Sequence, residues 1–376
     1  MNIDPVSETL QFTSRAEELD LDLLRAVIRT RHPDVTLLGF DLLDSRQRGE
    51  QMVSTSARAM LRLRFAAGEG GASAGDLPER VVCKLALGAD TVMAAFYENE
   101  VNVYSRLRPE LLVEAPRSLG ALYDPKSAQF VLMLEDLAQR GARFPNVTQD
   151  VPLSAVEALL DTLATLHAGH WESPRFSTDL AWLETHLEGG VAHLMNELAP
   201  PLIQHEIESQ AFKRELVQRL RSTGPELLAD VRHLQRHQAS LPQTLLHGDA
   251  HLGNTYLLPN GVAGLLDWQL CVRGYCMHDV SYLIATGLPI ALRREHERRL
   301  LSHYRERLLA LGVEKPPSTQ EIWNEYRRAM VWGVYIGWLT TPVVNYGWEI
   351  NVVNHLRLTT AYEDLGTARL VAETAA

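Results

Sequence analysis

Residues 244 to 269 read TLLHGDAHLGNTYLLPNGVAGLLDWQ, and they gather two histidines, two aspartates and Asn254 around a hairpin signal. Asn260-Gly261 between two apolar runs is the strongest short-range mark of a two-residue β-turn. With those two residues as the turn, Asn254 lies directly opposite Asp267, their Cβ atoms about 5 Å apart. An amide oxygen and a carboxylate meeting at the open end of a hairpin suit Mg²⁺, which accepts one or two protein oxygens and completes its octahedron with water and phosphate. A purely structural alternative keeps Asn254 as a polar group at a strand edge and Asp267 as a helix cap.

Upstream, TLLHGD reads as a short strand delivering His247 and Asp249 to a loop, with Gly248 allowing tight backbone geometry. Asp249 precedes Asn254 by five residues, the interval of the protein-kinase catalytic loop, where an Asp orients the acceptor hydroxyl and an Asn holds a metal. His247 and His251, at i and i+4, also match the spacing of zinc ligands on a helix. Gly248, Gly253 and the strand-like approach oppose a helix there.

HGDAHLGN matches H-G-D-x-H-x-x-N and resembles the signature of the aminoglycoside phosphotransferase and choline kinase family of the protein-kinase-like fold. With LLDWQ downstream it looks most like the ecdysteroid-kinase-like branch. The resemblance spans roughly residues 35 to 365 and is strongest at 244 to 282. It implies a bilobal α+β fold, with a small β-rich N-lobe over residues 1–136 and a large, mostly helical C-lobe over 137–376. It also implies ATP and Mg²⁺ as cofactors, with ATP between the lobes. Asp249 is then the catalytic base, Asn254 and Asp267 bind Mg²⁺, and His247 supports the loop. In relatives an Asp near Asp279 braces the same loop, and the local sequence also suits Asp279 as an N-cap.

The rest of the chain fits that outline. Ser14 with Glu17 makes a capping box ahead of an amphipathic helix in residues 13 to 30. Alternating runs follow: TLLGFDLL, then ARAMLRLRF with Ala57, Ala59, Leu61, Leu63 and Phe65 on one face, then RVVCKLAL. The Gly-rich insert at 66 to 79 lacks GxxxxGK[ST] and reads as a mobile hairpin loop. Residues 90 to 108 read as a helix, AQFVLMLEDLA as a buried strand, and helical periodicity dominates from about 153.

The chain holds four lysines, and Lys84 alone sits inside an apolar strand, facing the same way as Val82 and Ala86. A lysine so placed wants a carboxylate partner. Met93, Tyr97, Glu100, Tyr104 and Leu107 form one stripe at three- and four-residue steps, so Glu100 faces inward while Glu98 points away. In the family the corresponding pair engages ATP. FVLMLEDLA resembles the family's interlobe segment, whose backbone meets the adenine edge around Leu134, Glu135, Asp136 and Leu137. The first hairpin lacks GxGxxG, and Ser54, Thr55 and Ser56 are the candidates to cover the phosphates.

A net charge of −11 opposes a nucleic-acid partner. Three cysteines without CxxC spacing exclude a zinc ribbon and fit reduced thiols. The polar N-terminus and the absence of a sufficiently long apolar run argue for a cytoplasmic protein that does not engage the membrane. The expected partner is a small hydroxylated molecule. Trp323, Trp332, Trp338 and Trp348 lie within 26 residues, together with Tyr326, Tyr335 and Tyr346, where acidic residues are sparse. That composition suits an apolar, hydroxyl-bearing acceptor contacting Trp332, Tyr335, Trp338 and Tyr346 better than a polycationic aminoglycoside. A choline-like ligand fits through cation–π contacts, and ordinary helical core is the alternative for the same rings. A pseudokinase that binds nucleotide without catalysis is disfavoured by the presence of Lys84, Asp249, Asn254 and Asp267 together.

Overall fold

An aspartate, rather than the expected Ser14–Glu17 box, starts the first helix. Asp20 accepts the Leu23 N–H at 2.7 Å and opens α1 (Leu21–Arg29), while Glu17 lies in a preceding 3-10 turn and receives the Ser45 hydroxyl. Asp20 wins because it borders the apolar run directly and its carboxylate favours the positive end of the helix. The computed structural model describes residues 10–46, 55–66, 77–88 and 91–374. Ser54, residues 67–76 of the Gly-rich insert and position 90 lie outside them.

Two units emerge, one comprising Met1–Leu111 and Ala115–Ala142, the other Leu112–Glu114 and Arg143–Ala376. In the first, β1 (Leu37–Arg46), β2 (Ala57–Phe65) and β3 (Arg80–Leu85) precede α2 (Ala94–Asn102), and β4 (Ser118–Asp124) and β5 (Gln129–Glu135) follow it. They form one antiparallel sheet in the order β1-β2-β3-β5-β4. One sheet face packs on α1: Leu23, Leu24, Val27 and Ile28 meet Ala59, Leu61, Leu63, Val81, Cys83, Leu85, Val131 and Met133. Burying each large aliphatic side chain contributes about 1.5–3 kcal/mol. Because strand side chains alternate, committing Val81, Cys83 and Leu85 to this core turns Lys84 to the opposite face.

The second unit is mostly helical. Its elements are α3 (Leu153–Gly169), α4 (Gly190–His193), α5 (Ala199–Ser209), α6 (Ala211–Arg219), α7 (Gly224–Ala239), then β6 (Thr244–Leu246), β7 (Thr255–Leu257), β8 (Ala263–Leu265) and β9 (Val272–Gly274). There follow α8 (Met277–Gly287), α9 (Ile290–Ala310), α10 (Thr319–Trp332), which runs on as a π-helical segment to Leu339, α11 (Val343–Tyr346), α12 (Trp348–Asp364) and α13 (Thr367–Ala372). Every residue of α8 is buried, as befits a central helix surrounded by others. The small sheet-based unit and the larger helical one make the protein α+β. Among the described residues, no helix is long and apolar enough to cross a membrane.

The β7–β8 hairpin corrects the turn expected from Asn260-Gly261. Its loop has three residues, Pro259, Asn260 and Gly261: the Gly261 N–H reaches Leu258 O at 2.9 Å and the Leu258 N–H reaches Val262 O at 2.9 Å. Pro259 fits the second position of a type I turn, and Gly261 takes the left-handed conformation that follows it (φ +84°). The Asn260 carboxamide accepts the Val262 N–H at 3.2 Å. The register therefore shifts by one residue, pairing Thr255 with Leu265. Asn254 faces Leu266, whose N–H it accepts at 3.0 Å, and not Asp267.

Candidate active site

The loop after β6 is built around one buried carboxylate. Asp279 accepts the His247 N–H at 2.7 Å and the Gly248 N–H at 2.9 Å, and its Oδ2 also meets His167 Nε2 at 3.2 Å. Gly248 is required: its φ is +83°, and a Cβ there would stand 1.8 Å from Leu270 O. Asp279 lies inside the first turn of α8 behind Cys276, so it is a brace of the loop and not the N-cap. Burial raises its affinity for a proton, but the hydrogen bond from His167 and the charges of His167, His278 and His247 outweigh burial and hold it at about 2. His278 donates from Nε2 to Gly248 O at 3.0 Å, closing the same loop from the other side.

His247 is a structural imidazole. Its Nε2–H donates to Leu266 O at 3.0 Å, its Nδ1 accepts the Asp249 N–H at 3.3 Å, and its ring packs edge-on against Trp268. With both nitrogens engaged, it cannot serve as a zinc ligand. Among the described residues no group of three or more His, Cys, Asp and Glu is placed to hold a metal ion.

Asp249 projects from this braced loop with 17% of its side chain exposed. The Asn254 amide nitrogen donates to Asp249 Oδ2 at 2.8 Å and to its main-chain oxygen at 3.0 Å. Burial, then the charge of Asp267, pushes the Asp249 carboxyl up to about 8, while the Asn254 bond pulls the other way and Asp279 adds a smaller upward push. Asp267 is held in the left-handed region (φ +66°, ψ +69°), which a non-glycine residue adopts at a cost of about 1–3 kcal/mol and which gathers at functional sites. The Asp267 carboxylate acts on Asp249 through its charge, while the cross-strand place opposite Asn254 belongs to Leu266. With its nitrogen spent on Asp249, Asn254 has its amide oxygen to offer a cation. One amide oxygen and one carboxylate are a hard, all-oxygen donor set that fits Mg²⁺.

In the first unit, Lys84 Nζ meets both Glu100 oxygens, at 2.6 and 2.7 Å, with 6% and 2% of the two side chains exposed. Glu98 is exposed. The Tyr97 hydroxyl donates to Thr55 O at 2.8 Å and anchors the start of β2, where Ser56 is buried. At the end of β5, the Glu135 and Asp136 N–H groups already serve Arg117 O and Arg80 O. Their carboxylates are also engaged, Glu135 with Arg117 and Arg140, and Asp136 with Arg80 and the Ala138 N–H.

The aromatic group at 323 to 348 does not act as one surface. Trp332, Tyr335 and Trp338 are buried, whereas Tyr346 is 36% exposed. Trp332 packs on His278 and Tyr282, and Trp338 lies between His251 and Tyr346 at ring distances of 6.0 and 5.8 Å. Sequence reasoning missed the braces His167 and His278. His167 sits on α3, and nothing near it in sequence signals a partner 112 residues away. His251 was visible in the motif without a role. Its Nδ1 accepts the Gly253 N–H at 3.0 Å, and burial holds its pKa down at about 4.

Residues 69–312 match the phosphotransferase enzyme family (APH). Among solved structures, the ethanolamine kinase of Plasmodium vivax superposes with a TM-score of 0.50 at 12% identity, covering 89% of this chain and 84% of that one. The choline kinase LicA of Streptococcus pneumoniae gives 0.48 at 15%, covering 86% and 94%. An aminoglycoside phosphotransferase of Streptomyces rimosus gives 0.43 at 18%, covering 82% and 97%. No curated protein sequence matches the chain.

Proposed function

Because the chain belongs to the phosphotransferase enzyme family, we propose that it moves the γ-phosphoryl group of ATP to a hydroxyl of a small, rather apolar molecule, with Mg²⁺ as the metal. The observation that carries this reading is the Asp249–Asn254 pair, a carboxylate oriented by the amide whose oxygen is left for a cation. The acceptor oxygen attacks the γ-phosphorus, its proton passes to Asp249, and the bond from phosphorus to the β-phosphate oxygen breaks with its electron pair leaving on ADP. Asn254 and Asp267 would hold Mg²⁺, which when bound offsets phosphate charge. Lys84, fixed by Glu100, supplies the second positive group. Within the Leu134–Leu137 segment, the Leu137 N–H is the proposed adenine contact, since those of Glu135 and Asp136 are engaged.

Catalysis here rests on positioning, because a loose phosphoryl transition state asks little covalent chemistry of the protein. Asp279 serves by holding the His247 and Gly248 N–H groups, and with them the loop that aims Asp249. The apolar acceptor is supported by Tyr346, exposed beside Trp338 in a stretch poor in acidic groups. HGDAHLGN and LLDWQ support placement in the ecdysteroid-kinase-like branch, and the same rings favour a choline-like acceptor as the second reading.

The test is ADP release from ATP with Mg²⁺ across hydroxylated lipids, sterols, amino alcohols and aminoglycosides. Acceptor-dependent ADP release that stops in EDTA supports the reading. No release with any acceptor, together with ATP binding, would favour a nucleotide-binding pseudokinase.

A further inference from the structure

We propose that His251 is the second polar group that holds the acceptor hydroxyl, its Nε2–H donating to the same oxygen whose proton Asp249 receives. The inference rests on the phosphotransfer reading and adds a residue to it. The tautomer follows from the backbone: Gly253 N–H donates to His251 Nδ1 at 3.0 Å, so Nδ1 carries a lone pair and the neutral ring carries its hydrogen on Nε2. Gly253 is part of the device, since a Cβ there would stand 2.7 Å from His251 Cε1 and 3.0 Å from Nδ1. The edges of Tyr282 and Trp338, at ring distances of 5.8 and 6.0 Å, confine the ring from two other directions.

His251 Nε2 makes no hydrogen bond among the described residues and lies 3.9 Å from Asp249 Oδ2, with 11% of the side chain exposed. That gap is too long for a direct hydrogen bond and suits one shared oxygen. An oxygen about 2.8 Å from each atom subtends an angle of about 90° between them, within the range that one hydroxyl accepts. The chemistry asks for this pair. An attacking hydroxyl gives its proton to one partner and aims one lone pair at phosphorus, leaving a second lone pair for one donor. As the new O–P bond forms, the O–H bond breaks toward Asp249 and the P–O bond to ADP breaks with its electrons on ADP. Donation from His251 draws some electron density from the nucleophile, but a loose transition state needs little of it, so the gain in orientation prevails.

The experiment compares His251→Phe, which keeps a ring of similar size without N–H, with His251→Gln, whose amide nitrogen reaches about as far as Nε2. With an acceptor found for the wild type, His251→Phe should lower kcat/KM for the acceptor about 10- to 100-fold while KM for ATP stays within about twofold. His251→Gln should recover most of that loss. Gly253→Ala, which keeps the imidazole but displaces it, should reproduce the acceptor defect. Wild-type acceptor kinetics in His251→Phe, or His251→Gln no better than His251→Phe at equal melting temperature, would overturn the assignment and leave phosphotransfer standing. If the wild type phosphorylates no hydroxyl at all, the phosphotransfer reading fails and this inference falls with it.

Discussion

Asn254 donates twice to Asp249, to the carboxylate at 2.8 Å and to the main-chain oxygen at 3.0 Å, so one amide fixes both the side chain and the backbone of the proposed base. Its oxygen remains for the metal. Asn254→Ala removes both services and is expected to lower kcat by at least about 10²-fold and to raise the Mg²⁺ concentration needed for half-maximal rate. A Mg²⁺ titration of the initial rate reads this directly. An unchanged Mg²⁺ requirement would place the metal on other ligands.

Lys84 and Glu100 form a buried pair, and breaking such a pair by removing one partner typically costs about 3–5 kcal/mol. Lys84→Ala should therefore lower stability as well as ATP affinity. Lys84→Met combined with Glu100→Leu should recover most of the stability, because two apolar groups of similar volume need no partner, but none of the ATP affinity. Denaturant unfolding beside KM for ATP separates the two effects. Recovery of ATP affinity in the double variant would remove Lys84 from the nucleotide site.

Local periodicity carried the parts of the fold that depend on near neighbours. Alternation in ARAMLRLRF marks β2, whose Ala57, Ala59, Leu61 and Leu63 are buried while Phe65 stays partly exposed at the strand end. Helical spacing singles out Glu100 over Glu98, and Glu100 is the residue that meets Lys84. The hairpin register lies one residue away from the Asn-Gly expectation because Pro259 starts the turn one residue earlier. The His167 and His278 braces could not be read from the sequence, since His167 reaches Asp279 from a helix 112 residues away and His278 reaches the Gly248 carbonyl 30 residues away. Burial of Trp332, Tyr335 and Trp338 was equally hidden, because a helical aromatic stripe looks alike in a core and in a pocket.

That burial separates two variants at the acceptor side. Trp338 is 2% exposed and Tyr346 36%. Trp338→Ala opens a cavity and is expected to cost about 3–5 kcal/mol of stability. Tyr346→Ala should leave the melting temperature within a few degrees and raise KM for the acceptor severalfold, with KM for ATP steady. Equal effects of Tyr346→Ala on both KM values would count against an acceptor role.

Asp279 sets an acid limit on stability. Its folded pKa of about 2 lies below the ordinary carboxylate value, so its contribution is fully present above about pH 5 and is lost as pH falls through about 2. A depression of that size corresponds to about 2–3 kcal/mol. Asp279→Asn should lower stability at neutral pH and flatten the acid slope. Parallel unfolding curves for the two proteins between pH 5 and pH 2 would show that Asp279 is not the group responsible.

Asp249 has the opposite sign. Burial and the charge of Asp267 raise its carboxyl to about 8, so between about pH 4 and pH 8 the folded, metal-free protein holds a proton that the unfolded chain has released. The Asp249 contribution to stability in EDTA, read as wild type minus Asp249→Asn, should therefore fall as pH rises through that interval, by up to about 1.4 kcal/mol per pH unit for one proton. Asp249→Asn removes that one titration, so the variant should gain stability relative to wild type from pH 6 to pH 8 and be the more stable of the two at pH 8. Mg²⁺ should narrow the difference, because a cation at Asn254 and Asp267 offsets the second cause of the shift and binds only the folded state. The same variant tests the mechanism: Asn accepts a hydroxyl hydrogen bond but cannot take the proton, and Ala does neither. If positioning dominates, Asp249→Asn keeps measurably more transfer activity than Asp249→Ala. Equal inactivity of the two, with normal ATP affinity, would mean that proton removal limits the reaction, while full activity of both would remove Asp249 from the chemistry.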